Sequence, residues 1–216
     1  MPANPNIALT AVEFTPLTHE HVDAAVDCLA ESFMDEPICR ALALPKEALL
    51  DFLKPRIEIT ARDGFSCVAV ENGKVVSVAF NDDNSDQPVP YANSERWDAY
   101  WVPILNLLEQ LHQGSQQEQQ FHAEGLKFFH MFFWATLPEA RGKGYLKRLV
   151  EMSLEIAKSK GFDVAMVEAT SLGSQVTCRK FEFELSHALP YQGVPKLASI
   201  GNTALELYLF RLKNGK

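Results

Sequence analysis

The chain has 216 residues, a formal net charge of −8, a hydrophobic fraction of 47% and a charged fraction of 22%. These values are typical of one globular α/β domain, and we expect residues 1–216 to form a single domain with a loose leader at 1–10. An acidic chain without a run of Lys and Arg lacks the positive patch that binds phosphate backbones. The sequence therefore argues against a nucleic-acid partner.

Targeting segments and metal ligands are also not indicated. The N-terminus has no basic segment followed by a long apolar run, and no apolar run approaches the ~20 residues that span a bilayer. We expect no signal peptide, no membrane partner and a cytoplasmic location. The cysteines include no CxxC pair, so we expect no metal, and we expect Cys28, Cys39 and Cys67 to be buried, reduced thiols.

Hydrophobic periodicity predicts alternating helices and strands along the first half of the chain. In order, these are a strand at 11–16, a helix from His21 or Val22 that ends at Asp35-Glu36-Pro37, a helical region at 38–62 broken at Pro45, and strands at 65–70 and 75–80. Asn72-Gly73 between the two strands is a strong hairpin signal.

The second half begins with a polar, proline-containing segment. The predicted elements are a loop at 81–95, a helix at 96–112, a flexible connection at 113–120, a strand at 126–136, a helix ending near Lys160, a strand at 163–168, a short helix at 173–181, and strands at 183–189 and 203–212. A hairpin followed by β-α-β crossovers predicts an α/β fold with a mixed central sheet flanked by helices.

The most informative motif is Arg141-Gly142-Lys143-Gly144, which lies between a buried strand and a helix. Glycines allow backbone N–H groups to approach a ligand, and a helix N-terminus favours a phosphate or pyrophosphate. The spacing fits neither GxGxxG nor GxxxxGK[ST], which argues against dinucleotide dehydrogenases and nucleotide hydrolases. The alternative interpretation is a tight turn with two solvated basic side chains.

The segment from Pro138 to Leu146 resembles the acetyl-CoA loop of the GNAT superfamily of N-acetyltransferases, whose pattern is Arg/Gln-x-x-Gly-x-Gly/Ala. Arg141 and Gly144 match this pattern, whereas Leu146 stands where Gly or Ala is usual. The resemblance implies the GNAT fold, acetyl-CoA as co-substrate, and a separated strand before the loop that binds pantetheine. The residues implied to bind the cofactor are Phe133, Trp134, Ala135, Thr136, Arg141, Gly142, Lys143, Gly144 and Tyr145.

Two further segments resemble the insect-type arylalkylamine (dopamine) N-acetyltransferases. Phe33-Met34-Asp35-Glu36-Pro37-Ile38 is similar to their F-x-D-E-P-L stretch, which implies that Glu36 is the general base. Thr170 and Ser174 fall where that family has two serines, and the resemblance implies a role in proton transfer. Cys178 occupies the position of the tyrosine acid of many GNAT enzymes, so it is either a proton donor or a packing residue.

The resemblance predicts an enzyme that moves an acetyl group from acetyl-CoA to a small primary amine, such as an arylalkylamine, by direct attack of the neutral amine on the thioester. We expect Phe33, His130 and Tyr191 to contact the acceptor, although His130 also fits a hydrogen-bonded core position. We expect a monomer or a homodimer. Two alternatives stay open, a protein Lys or N-terminal acetyltransferase and a non-catalytic acyl-CoA-binding domain.

Overall fold

The computed structural model describes residues 12–83, 94–194, 196–200 and 204–212. The strands are β1 (Val12–Pro16), β2 (Cys67–Glu71), β3 (Lys74–Asp82), β4 (Phe128–Thr136), β5 (Val164–Ala169), β6 (Glu184–Pro190) and β7 (Ala204–Arg211). The α-helices are α1 (Val22–Phe33), α2 (Pro37–Ala41), α3 (Lys46–Thr60), α4 (Ser94–Gly114), α5 (Gln116–Ala123), α6 (Tyr145–Ser159) and α7 (Leu172–Lys180). Short 3-10 helices supplement them, one of them at Pro138–Ala140 directly before the glycine motif.

The described strands form one sheet in the order β1-β2-β3-β4-β5-β7-β6. The β4–β5 pair is parallel, and the other neighbouring pairs are antiparallel. A parallel pair needs a crossover, and α6 provides it between β4 and β5. The predicted mixed sheet flanked by helices is confirmed.

The helices pack against the sheet through three apolar clusters. The first joins α1 and α3 to β2 and β3, the second joins α6 and α7 to β4 and β5, and the third joins α4 and α5 to β5 and β7. Burial of apolar side chains is the main favourable contribution to folding. None of the helices that the structure describes is both long and apolar enough to cross a membrane.

The expectation of a flexible connection at 113–120 was wrong for most of that segment. Residues 116–123 form α5, because Ser115 caps the helix by accepting a hydrogen bond from the Glu118 N–H. Glu118 is buried against His112, and Phe121 packs into the third apolar cluster. The polar, low-complexity composition of this segment therefore gave no indication of a capped helix with two buried side chains.

The structure differs from the predicted loop at 81–95 at both of its ends. Strand β3 continues to Asp82 and α4 begins at Ser94, while residues 84–93 lie outside the described part of the chain. The loose leader at 1–10 also lies outside the described residues.

Candidate active site

A cleft of about 840 Å³ opens where β4 and β5 separate. Residues 128–130 of β4 pair with residues 164–166 of β5, but the pairing stops there although β4 continues to Thr136 and β5 to Ala169. Backbone N–H and C=O groups that lose a neighbouring strand need another partner. The cleft is therefore built to accept an extended ligand that hydrogen-bonds as a strand would.

Both separated strands contribute to the cleft wall. From β4, the predicted cofactor residues Phe133, Trp134 and Thr136 line the cleft, whereas Ala135 is buried and lies outside the lining. On the opposite side, Glu168 and Thr170 line the cleft from β5 and the residue that follows it. This arrangement fits the pantetheine arm that the sequence resemblance assigns to the separated strand.

The glycine motif lies at the end of the same cleft. Gly142 and Gly144 line it and have φ angles of 78° and 81°, in the left-handed region that favours glycine. Gly144 is the N-cap of α6, and a Cβ added at either glycine would meet nothing within 4 Å. The open space beside these glycines is thus the cleft itself, next to a helix N-terminus that attracts anions.

Some of the basic side chains around the motif line the cleft, and Lys143 does not. Arg141, Lys147 and Lys180 line the cleft, and Arg141 Nε donates a hydrogen bond to the Thr136 carbonyl oxygen at 3.1 Å. Lys143 instead lies outside the lining and donates from Nζ to the carboxylate of Glu71. Sequence reasoning did not identify Lys147 or Lys180, because isolated lysines on helices carry no motif.

Tyr145 is also committed to Glu71, since its hydroxyl donates to Glu71 Oε1 at 2.7 Å. The hydrogen bonds from Lys143 and Tyr145 hold the pKa of Glu71 below its ordinary value. The tip of the β2–β3 hairpin therefore fixes the start of α6. Of these residues, Tyr145 both lines the cleft and contacts Glu71.

Glu36 lines the cleft at the N-terminus of α2. Its Oε2 accepts hydrogen bonds from the backbone N–H groups of Ile38 at 2.8 Å and Cys39 at 3.2 Å. Its Oε1 is buried and has no hydrogen-bond partner among the described residues. Burial raises the pKa of Glu36, while the Thr170 hydroxyl and the two N–H groups partly offset that rise. A carboxylate with a raised pKa and a free oxygen suits a general base.

The two hydroxyl residues predicted for proton transfer have different surroundings. Thr170 and Ser174 both line the cleft, and Thr170 lies close enough to Glu36 to affect its pKa. The Ser174 hydroxyl donates to the Ser171 carbonyl oxygen at 2.8 Å and completes a capping box at the start of α7. The structure thus brings Glu36 and Thr170 together, whereas Ser174 has a structural partner within its own helix.

The predicted acceptor residues are divided between the cleft and the core. Phe33 lines the cleft beside Phe133, with ring centroids 4.7 Å apart. Tyr191 is fully buried outside the lining and donates its hydroxyl to the Thr170 carbonyl oxygen at 2.8 Å. Helix α4 completes the wall with Trp101 and with three apolar side chains that sequence reasoning did not identify as acceptor contacts: Ile104, Leu107 and Leu108.

His130 lies behind the cleft wall and not in the lining. Its ring nitrogens contact Asp82 Oδ1 at 3.1 Å and Glu168 Oε2 at 2.7 Å. The structure therefore places it as a hydrogen-bonded, buried histidine. Sequence reasoning did not identify its partner Glu168. The available signal was that Glu168 is a charged residue in the otherwise apolar β5 sequence.

Cys178 packs in the second apolar cluster and is fully buried. Burial raises the pKa of its thiol to about 12, with Glu206 adding to the rise. It does not line the cleft. The structure supports packing and not proton donation for this residue.

Comparison with protein families identifies the fold and the enzyme class. The model of the acetyltransferase (GNAT) family matches residues 29–181, which include the end of α1, the separated strands, the glycine motif and α7. The chain belongs to the GNAT acetyltransferase family. Acetyltransferases of this family use acetyl-CoA as co-substrate, and the cleft with its glycine loop agrees with that use.

Solved structures with the same fold include several N-acetyltransferases. Arylalkylamine N-acetyltransferase 2 from Aedes aegypti has a TM-score of 0.74 at 21% identity, covering 94% of this chain and 99% of that one. The polyamine N-acetyltransferase of Drosophila melanogaster, which forms N-acetylagmatine, has a TM-score of 0.66 at 16% identity, covering 94% and 100%. A search of the curated proteins finds no significant match. At these identities, the likeness shows the fold alone.

Proposed function

We propose that this GNAT acetyltransferase moves the acetyl group of acetyl-CoA to the nitrogen of a small primary amine, and that the amine is an arylalkylamine. The observation that carries the proposal is the position of Glu36. Its buried, unpartnered Oε1 belongs to the same cleft as the separated β4 and β5 strands and the glycine motif. A base and an anion-binding loop therefore share one cavity.

The chemistry requires a base because the acceptor enters largely protonated. An alkylamine with a pKa near ~10.4 is neutral in only about one molecule in a thousand at pH 7. Glu36 accepts the ammonium proton, directly or through water. The nitrogen lone pair then forms a bond to the thioester carbonyl carbon, and the C–S bond breaks. The nitrogen releases a second proton, and the departing CoA thiolate takes up that proton. Thr170, beside Glu36, is the hydroxyl that we propose for proton transfer.

The backbone of the separated strand supports the same reaction. Residues 133–136 pair with β3 on one edge but have no β5 partner on the other, so the N–H groups on the edge that faces away from β3 are available to the pantetheine arm and the thioester oxygen. Hydrogen-bond donors that are aimed at a developing oxyanion contribute a few kcal/mol in enzymes where this has been measured. Arg141, Lys147 and the start of α6 then hold the CoA phosphates.

The acceptor side of the cleft favours an aromatic amine. Its wall is largely apolar, with Phe33, Trp101, Ile104, Leu108 and Phe132 among the lining residues. Rings of this kind stack on an aryl group and attract an ammonium through their faces. Helix α4 contributes part of this apolar wall, and an apolar cavity of this kind supports a small molecule over a protein substrate.

The experiment is a thermal-shift titration with acetyl-CoA, using ATP as the control, followed by an amine panel with detection of released thiol. At about 100 times Kd, linkage predicts ~2.7 kcal/mol of stabilisation. For a domain of this size that corresponds to roughly 5–10 °C. The panel contains phenylethylamine, tryptamine, agmatine, spermidine and a lysine peptide.

We expect a shift with acetyl-CoA and none with ATP, and the fastest thiol release with the two arylalkylamines. Turnover of agmatine or spermidine in preference to them would contradict the proposal of an aromatic acceptor but would still support acetyl transfer to a small amine. Preference for the peptide would assign the chain to protein acetylation. Binding of acetyl-CoA without turnover of any amine would indicate a non-catalytic acyl-CoA-binding domain.

A further inference from the structure

A continuous chain of carboxylates and histidines runs from the sheet into the helices behind the cleft. We name it the Glu168 bridge, and its members in order are Asp82, His130, Glu168, His112 and Glu118. His130 contacts Asp82 at 3.1 Å and Glu168 at 2.7 Å. His112 contacts the other oxygen of Glu168 at 3.0 Å and Glu118 at 2.9 Å. The side chains of Glu168, His130 and Glu118 are less than a tenth exposed.

The geometry fixes the protonation of both histidines. Each ring nitrogen of His130 and His112 faces a carboxylate oxygen, and an ionised carboxylate only accepts hydrogen bonds. Both rings must therefore carry two protons and a positive charge to make all four contacts. The Glu168 bridge is a row of alternating charges, and Glu168 lies at its centre between two imidazolium rings.

The pKa values of the three central groups agree with this geometry. Burial opposes the charged form of both histidines, but the neighbouring carboxylates outweigh it and raise the pKa of His112 to about 9 and that of His130 to about 10. Burial would raise the pKa of Glu168, but the two histidines hold it far below its ordinary value. Glu168 therefore stays ionised, and its lowered pKa makes it a weaker base than Glu36, whose pKa is raised.

The Glu168 bridge crosses the point at which the two central strands separate. His130 pairs with Met166 in the last hydrogen-bonded position between β4 and β5. Glu168 lies two residues further along β5 on the same face and lines the cleft. Its contact with His130 thus takes over where the backbone pairing ends. On its other side, Glu168 reaches α4 through His112, and α4 supplies the apolar wall of the acceptor side.

We propose that the Glu168 bridge sets the separation of β4 and β5 at the closed end of the cleft, and that Glu168 is a positioning residue for acetyl transfer. This inference rests on the proposed function. Apolar side chains would fill the same space at lower desolvation cost, so stability alone gives little reason for buried ion pairs. Reacting groups, however, must be held closely, since a misplacement of 1 Å can cost about 10²-fold in rate.

The expected defect is selective. The glycine motif and Arg141 lie at the other end of the cleft, so acetyl-CoA should still bind when the Glu168 bridge is altered. The thioester and the amine meet between β4 and β5, so turnover should fall. A loss of kcat with a nearly unchanged KM for acetyl-CoA distinguishes positioning from a general loss of folded protein.

The experiment compares Glu168→Gln, His130→Gln and His112→Gln with the matched control His122→Gln. His122 is half exposed and contacts Glu118 at 3.5 Å, outside the Glu168 bridge. Each variant is assayed at 20 °C with acetyl-CoA and the best amine, and acetyl-CoA binding is measured by calorimetry. We expect kcat to fall at least about 10-fold in the three bridge variants, with acetyl-CoA affinity within about 2-fold of the parent and no change in His122→Gln.

A second arm does not depend on turnover. Histidine C2–H resonances of the parent should titrate near pH 9 and pH 10 for two rings, and both should move toward the ordinary value of 6.5 in Glu168→Gln. Stability from a raised histidine pKa is fully present below 6.5 and is lost as the pH rises through 9 and 10. The parent should therefore lose thermal stability over that range more steeply than Glu168→Gln. Asp82 and Glu118 are the other titratable groups that face the two rings, and His122 contacts Glu118.

Each result decides between positioning and structure. If all three variants keep parental kcat at 20 °C while their unfolding temperatures fall, the Glu168 bridge is structural only and the inference is overturned. If no histidine of the parent titrates near pH 9 or 10, the inference is also overturned. If Glu168→Gln does not fold, His112→Gln, at the more exposed end, carries the kinetic comparison. Absence of turnover in the parent would instead contradict the proposed function.

Discussion

Glu71 accepts two hydrogen bonds from Lys143, at 2.9 Å to each carboxylate oxygen, and so holds the Lys143 ammonium outside the cleft. Lys147, one turn further along α6, does line the cleft. Of these two lysines, the structure thus offers Lys147 to a bound phosphate, although Lys143 is the one within the motif. The sequence resemblance had assigned Lys143 to the cofactor.

This relationship predicts that Lys147→Gln weakens acetyl-CoA binding more than Lys143→Gln does. We expect about a 3- to 10-fold higher Kd for Lys147→Gln, the range that corresponds to the net contribution of one typical hydrogen bond. For Lys143→Gln we expect a change of less than about 2-fold, because its charge is already balanced at the surface. Isothermal titration with acetyl-CoA at fixed ionic strength measures both.

Arg148→Gln is the control, since Arg148 lies on the same helix, pairs with Glu151 and does not line the cleft. An equal loss for Lys143→Gln and Lys147→Gln would show that Lys143 leaves Glu71 when the cofactor binds. In that case the motif assignment from sequence would hold for Lys143.

The sequence predicted the fold well because its signals are local. The Asn72-Gly73 turn and the apolar β4 run each determine an element without reference to the rest of the chain. Side-chain partners depend instead on contacts distant in sequence, such as Glu71 with Lys143. For the same reason, the sequence did not show that the buried Tyr191 would donate its hydroxyl to the Thr170 carbonyl oxygen, or which side chains of α4 would line the cleft.

Glu36→Gln should abolish most turnover while leaving the cofactor site intact. Glutamine keeps an oxygen for the Ile38 N–H, so the cap of α2 is preserved, but it cannot accept a proton. We expect kcat to fall about 10²- to 10⁴-fold, the usual contribution of a general base. Steady-state kinetics with the best amine and calorimetry with acetyl-CoA separate the two effects. Asp35→Asn, at the exposed neighbouring residue, should change kcat little.

The pH dependence of the parent should show the same group. Because burial raises the pKa of Glu36, kcat/KM should rise with pH through a value above the ordinary 4.5. The folded state binds this proton more tightly than the unfolded state, so Glu36 contributes less stability as the pH rises through that range. A parental acidic limb that persists in Glu36→Gln would assign the base to another residue.

Thr170→Val should slow turnover more than Ser174→Ala. Thr170 interacts with Glu36, whereas the Ser174 hydroxyl is already donated to Ser171. We expect about a 10-fold lower kcat for Thr170→Val, less than the roughly 10²- to 10⁴-fold contribution of a general base, because Thr170 assists Glu36 and does not replace it. For Ser174→Ala we expect mainly a loss of about 1 kcal/mol in unfolding free energy from the weakened cap. Kinetics and urea denaturation of both variants test this.

Thr177→Val is the matched control for Thr170→Val. Thr177 also lines the cleft, but its hydroxyl donates to the Gly173 carbonyl oxygen within α7. Its replacement should leave kcat near the parental value. If Ser174→Ala instead shows the larger kinetic defect, the hydroxyl that the insect-type enzymes use is the one that acts here.

Ser115→Ala tests the segment at which sequence reasoning failed. The Ser115 hydroxyl is fully buried, accepts from the Glu118 N–H at 3.0 Å and lies 2.6 Å from the Ser186 hydroxyl. Its loss removes the cap of α5 and leaves a buried hydroxyl at Ser186 without this partner. We expect a loss of about 1–2 kcal/mol in unfolding free energy and a fall in Tm of roughly 2–8 °C, measured by calorimetry.

Ser159→Ala, at an exposed position near the end of α6, should shift Tm less. An unchanged Tm for Ser115→Ala would mean that α5 contributes little stability. Glu118 would then lack the rigid helix that presents it to His112.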